Sequence, residues 1–113
     1  MSLHSYEVAQ NTTETPRQTE YRLFAQVTRA LMESQKENGK SPLSKAIHWN
    51  RRLWLALQAD CALDHNVLPD ETRAGIISLS LWVDKHSRKV LRGEAKVEPL
   101  IDVNRSIMEG LSA

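Results

Sequence analysis

Apolar residues recur along much of the chain at spacings of three and four, the period of an α-helix. The longest such run is residues 43–68, in which Leu43, Ile47, Asn50, Trp54, Leu57 and Cys61 make one stripe. Trp49, Leu53, Ala56 and Leu63 widen it beyond half the circumference. Only Lys45, His48, Arg51, Arg52, Gln58, Ala59 and Ala62 remain to face water, so this helix must be covered on most sides and is expected at the centre of a bundle.

Two polar residues interrupt its apolar face, Asn50 in the stripe and Asp60 beside Cys61. A buried amide or carboxylate without a partner costs roughly 1–3 kcal/mol, so each calls for a specific bond. That bond either fixes helix register or anchors a partner in a groove.

The flanking segments repeat the pattern. Thr15-Pro16-Arg17-Gln18 opens a helix, with threonine as cap, proline at the first position and Gln18 closing a capping box. Leu23, Phe24, Val27, Ala30 and Leu31 continue it, and Asn38-Gly39 is the expected stop, giving a helix over 16–38. Ser41-Pro42 starts the central helix, expected over 42–65 and closed by His65-Asn66, with Asn66 in a left-handed conformation. Pro69-Asp70-Glu71 starts a third helix over 69–92, apolar nearly all round at Ile76, Ile77, Leu79, Leu81, Trp82 and Val83. Pro99 opens a fourth over 99–111, with Leu100, Val103, Asn104, Ile107 and Leu111 on one stripe; its shortness lets it cover only part of the others. Asn104 is a second asparagine on an apolar face. The short connections predict an all-α fold, four main helices in a mostly antiparallel bundle. Residues 1–14 are expected as an arm or short helix, and 15–113 as the bundle domain. Phe24, Leu31, Leu53, Trp54, Leu57, Ile77 and Leu81 are the expected core.

Composition narrows the function. The chain has 113 residues, enough for a single domain with one core, and fifteen basic against fourteen acidic residues leave a net charge of +1. That balance gives no global attraction to nucleic acid or to an anionic membrane, although Lys85, His86, Arg88, Lys89 and Arg92 collect at the end of the third helix. A lone cysteine, Cys61, excludes an internal disulfide and reads as an inert core residue. No secretory leader and no membrane-spanning run is recognisable, so a cytoplasmic protein is expected.

No phosphate loop, nucleophile elbow, CxxC or HExxH occurs, and His4, His48, His65 and His86 are scattered without ligand spacing. Asp60, Asp64, His65 and Glu71 come nearest to an acid–base cluster, without a nucleophile or oxyanion donors. The expectation is a protein that is no enzyme and takes no cofactor and no metal.

Taken in order, several segments resemble the flagellar protein FlaF family of alphaproteobacteria. They are Thr15-Pro16-Arg17-Gln18-Thr19-Glu20, Asn50-Arg51-Arg52-Leu53-Trp54, Asn66-Val67-Leu68-Pro69, Arg73-Ala74-Gly75-Ile76-Ile77-Ser78-Leu79, Trp82-Val83, Leu100-Ile101-Asp102-Val103-Asn104 and Gly110-Leu111. Gln18 stands where the family is expected to carry glutamate; either residue closes a capping box. The resemblance implies a regulator of flagellin synthesis or secretion, chaperone-like in its helical character and working beside a companion regulator, FlbT.

Flagellin is therefore the expected partner and FlbT a second candidate. The partner-binding residues are expected to be Trp49, Ile76, Leu79, Trp82 and Val83, with Asn50, Asp60 and Asn104 as polar anchors. This reading rests on the surplus of apolar residues on the third helix, more than a small bundle buries. The alternative is an RNA-binding regulator of flagellin messenger that uses Arg51, Arg52, Lys85, Arg88, Lys89 and Arg92; near-zero net charge and the lack of an RNA-binding motif weigh against it.

Overall fold

The computed structural model describes residues 13–36, 42–63 and 66–112, with residue 112 described by its backbone alone. Four helices account for most of them: α1 (Pro16–Glu33), α2 (Leu43–Ala62), α3 (Asp70–Leu91) and α4 (Glu98–Ser112). No strand occurs among the described residues. Residues 1–12 of the arm expected over 1–14, the stop at Asn38-Gly39, the cap at Ser41, and His65 lie outside them.

The start of α1 follows its sequence. Gln18 N–H donates to Thr15 Oγ1 at 3.1 Å, and Thr15 N–H donates to Gln18 Oε1 at 3.0 Å. Just ahead of it, Glu14 accepts from Arg22 Nε at 2.7 Å and from Thr19 Oγ1 at 2.7 Å. The Arg22 bond, then the Thr19 bond, hold the Glu14 carboxyl below the usual carboxylate range.

The ends of α1 and α2 come earlier than the stop residues suggest. α1 closes at Glu33, where the Ser34 hydroxyl turns back to Leu31 C=O at 2.7 Å. α2 closes at Ala62, because Leu63 adopts an extended conformation (ψ 138°). Asn66 is not left-handed, since no non-glycine residue described has positive φ. It works through its side chain instead: Nδ2 donates to Asp60 C=O at 3.2 Å and Oδ1 accepts from Leu68 N–H at 2.9 Å. Arg73 of α3 completes the cap, donating to the carbonyls of Cys61 at 2.7 Å and Leu63 at 2.8 Å, where a cation also suits the helix dipole. α3 closes on Gly93 at φ 75°, with Glu94 N–H reaching Lys89 C=O at 2.9 Å, a turn that favours glycine.

Successive helices run antiparallel. α2 packs most extensively on α3, α1 on α4 and on α2, while α3 and α4 barely meet. The reason is partly length: fifteen residues of α4 span about 22 Å against about 33 Å for the twenty-two of α3. α4 packs mainly against α1, so α2 is the principal neighbour of α3.

Trp54 sits at the centre, 1% exposed and edge-on to Phe24 with ring centroids 5.5 Å apart. Phe24, Leu31 and Leu53 are buried around it as expected. Leu57 and Ile77 are only half-buried, and Leu81, also expected in the core, is 60% exposed. The inward row of α3 explains this: Ile76, Ser80, Val83, Ser87 and Val90 recur at spacings of four and three, and Leu81 stands about 140° from the middle of that row.

Candidate partner-binding surface

On α3, small residues are turned inward and large ones outward. Ser80, Val83, Ser87 and Val90 are buried, and the Ser80 hydroxyl donates to Gln58 of α2 at 2.6 Å. This row of serines and valines lets α2 and α3 approach closely. Leu79 and Trp82, each 37% exposed, occupy the flank turned away from α2, and Ile76 is half-buried beside them.

Trp82 is held in place rather than loose. The His86 ring stacks on it with centroids 4.8 Å apart and planes 17° from parallel, and His86 Nε2 lies 2.8 Å from Lys96 C=O in the α3–α4 connection. Val103 and Ile107 of α4 are half-buried against the core. Leu79 and Trp82, with Ile76 beside them, thus form an apolar patch on α3 that is partly open to solvent.

Three expected site residues do not belong to it. Val83 is 1% exposed and part of the core, because it lies on the inward row of α3. Trp49 is half-buried on the other side of α2, toward α1, where it lines a shallow concavity of about 460 Å³ with Ala30, Lys45, Ala46, His48 and Arg52. Asp60 is exposed near the end of α2, where its carboxylate accepts from Asn66 Nδ2 at 3.1 Å; it is part of a helix terminus and anchors nothing in a groove.

The two asparagines meet each other inside the bundle. Asn104 Nδ2 donates to Asn50 Oδ1 at 2.8 Å and to Thr28 Oγ1 at 3.1 Å, and its Oδ1 accepts from Trp54 Nε1 at 2.8 Å. All four residues are buried, so the layer ties α1, α2 and α4 together and leaves no polar anchor facing a partner. Asn50 Nδ2 and Ser87 Oγ, buried as well, have no hydrogen-bond partner.

Three of the six basic residues that RNA binding would use are paired within the molecule. Arg51 and Arg88 share Asp84, at 2.8 and 3.2 Å, and Arg92 pairs with Glu94 at 3.2 Å. A phosphate backbone would have to displace these pairs. Among the described residues no group of histidine, cysteine and carboxylate side chains is arranged to hold a metal, and no helix is long and apolar enough to cross a membrane.

Cys61 is 1% exposed, and burial, with the nearby Asp60 and Glu20 charges, pushes its thiol above the usual range. Labelling with a thiol-specific disulfide reagent near neutral pH is expected to be slow in the folded protein and complete once urea unfolds it. Immediate labelling of the folded chain would contradict the burial.

Leu55 of α2, 54% exposed, and Leu81 were not recognised as surface residues from sequence. The signal for Leu55 was available, since it shares a helix side with Arg51, Arg52 and Ala59.

Compared with known families, residues 2–111 match the family described as flagellar protein FlaF. No curated protein and no solved structure matches the chain.

Proposed function

The chain belongs to the FlaF family of flagellar proteins, and from that premise we propose that it supports flagellin synthesis or secretion by holding an amphipathic helix of flagellin in the cytoplasm before export. The observation that carries this reading is the exposed apolar patch of Leu79 and Trp82, with half-buried Ile76 beside it, on a helix that α4 barely meets. An incoming helix would lay its apolar stripe there, as helix-in-groove recognition does, and would be kept from pairing with other flagellin chains. FlbT is a second candidate for the same patch.

Titration calorimetry with purified flagellin tests the proposal. Trp82→Asp or Leu79→Asp is expected to weaken binding by about thirtyfold or more, since each sets a charge against an apolar interface while leaving the buried row intact. Neutralising Lys89 and Arg92 should change affinity only slightly, because charges at a rim act mainly on association rate. Binding that survives both apolar changes and is lost with the charges rejects the apolar patch as the binding surface and favours a phosphate-bearing ligand such as RNA.

A further inference from the structure

Leu81 at 60% and Leu55 at 54% are the most exposed leucines among the described residues. They belong together. The Arg51–Asp84 ion pair at 2.8 Å and the Ser80–Gln58 hydrogen bond at 2.6 Å fix the antiparallel register of α2 and α3, and each leucine falls between those two ties. Toward the end of α2 the same outer face continues through Ala59 and Ala62, beside Ala74 and Ser78 of α3, all exposed and uncharged. This surface lies on the opposite flank of α3 from Leu79 and Trp82.

The charges along α3 indicate what covers it. Asp70 and Glu71 occupy its first turn, and Arg88 and Lys89 its last. Between them the outward row Asp70, Ala74, Ile77, Leu81, Asp84 and Arg88 has spacings of four, three, four, three and four, which are the same read in either direction. A helix with this pattern complements an antiparallel copy of itself: Ile77 meets Leu81 of the other copy, and Asp70 meets its Arg88. Parallel pairing would instead set like charges against each other.

We propose that this face is an isologous interface with a second copy of the chain, crossed by a two-fold axis midway between Ile77 and Leu81. The interface buries the two exposed leucines and leaves the patch at Leu79 and Trp82 open. It does not depend on what that patch binds. Asp70 and Arg88 hold partners in their own chain, Arg73 at 3.5 Å and Asp84 at 3.2 Å, so the intermolecular pair competes with weak local ones at the helix surface.

Sedimentation equilibrium of the full chain, from micromolar to submillimolar concentration, is expected to show a monomer–dimer equilibrium. Leu81→Glu should raise the dimer dissociation constant by about tenfold or more without changing the circular-dichroism spectrum, because the side chain is exposed. Leu55→Glu on the neighbouring helix should do the same. Asp70→Arg and Arg88→Glu should each weaken the dimer, and combining them should restore it. A monomer throughout that range, or a dimer unaffected by both leucine changes, overturns the proposal, whether the face is then covered by a different protein or by nothing.

Discussion

Trp54→Ala is expected to remove about 3–5 kcal/mol of stability, the range found for deleting a large aromatic side chain from a packed core. A domain of ordinary marginal stability would be left with little folded population. The side chain is 1% exposed and meets Phe24 edge-on, so its loss opens a cavity between α1 and α2 that the surrounding helices fill only partly. The loss is also polar, because the indole N–H donates to Asn104 Oδ1 at 2.8 Å and its removal strands a buried amide oxygen. Trp54→Phe separates the two effects: it keeps much of the ring volume and drops the N–H, for an expected cost of about 1–3 kcal/mol. Urea unfolding followed by circular dichroism measures both. If Trp54→Ala unfolds at the parent's midpoint, the centre of the bundle lies elsewhere.

The same residue shows how far the sequence could be read. Trp54, Phe24, Leu31 and Leu53 each stand in the middle of a helical stripe, and stripes on α1 and α2 translate directly into burial because these helices have neighbours on two sides. On α3 the reading by hydropathy fails. Its inward row contains Ser80 and Ser87, chosen for close approach to α2, while Leu79, Leu81 and Trp82 are left outside. A pattern that ranks positions by apolar character puts leucine inside and serine out, and nothing local corrects it. The correction comes from which helices touch, and α4 packs on α1 rather than on α3.

The candidate surface was legible to the same extent. That α3 carries more apolar surface than a small bundle covers follows from its composition, and Ile76, Leu79 and Trp82 are among the residues involved. Val83 is expected at the surface as part of the same apolar surplus, yet it stands a step of 100° from Trp82, on the inward row, and is buried. Asn50 and Asn104 were recognisable as residues that need partners. That they are each other's partner, 54 positions apart in the chain, is a property of the assembled bundle. Thr28, the third member of that layer, gave no signal in a helix face where threonine is ordinary.

Asn104→Leu is expected to cost roughly 2–5 kcal/mol, because it strands the Trp54 N–H and Asn50 Oδ1 together, at about 1–3 kcal/mol for each buried group left unpaired. Asn104 uses both ends of its amide, donating to Asn50 and Thr28 and accepting from Trp54. Asn50 uses only its oxygen; its Nδ2 has no partner. The two asparagines are therefore unequal, and Asn50→Leu should cost less, about 1–2 kcal/mol, since it removes an unpaired donor along with the one acceptor. The double replacement should cost less than the sum of the single ones, because the Asn50–Asn104 bond can be lost only once and the pair becomes an apolar contact of similar volume. Denaturation midpoints of the parent, the two single variants and the double variant close the cycle. Strict additivity would mean that the two side chains do not interact in solution, and equal costs for the single changes would mean that the free Asn50 amide has found a partner of its own.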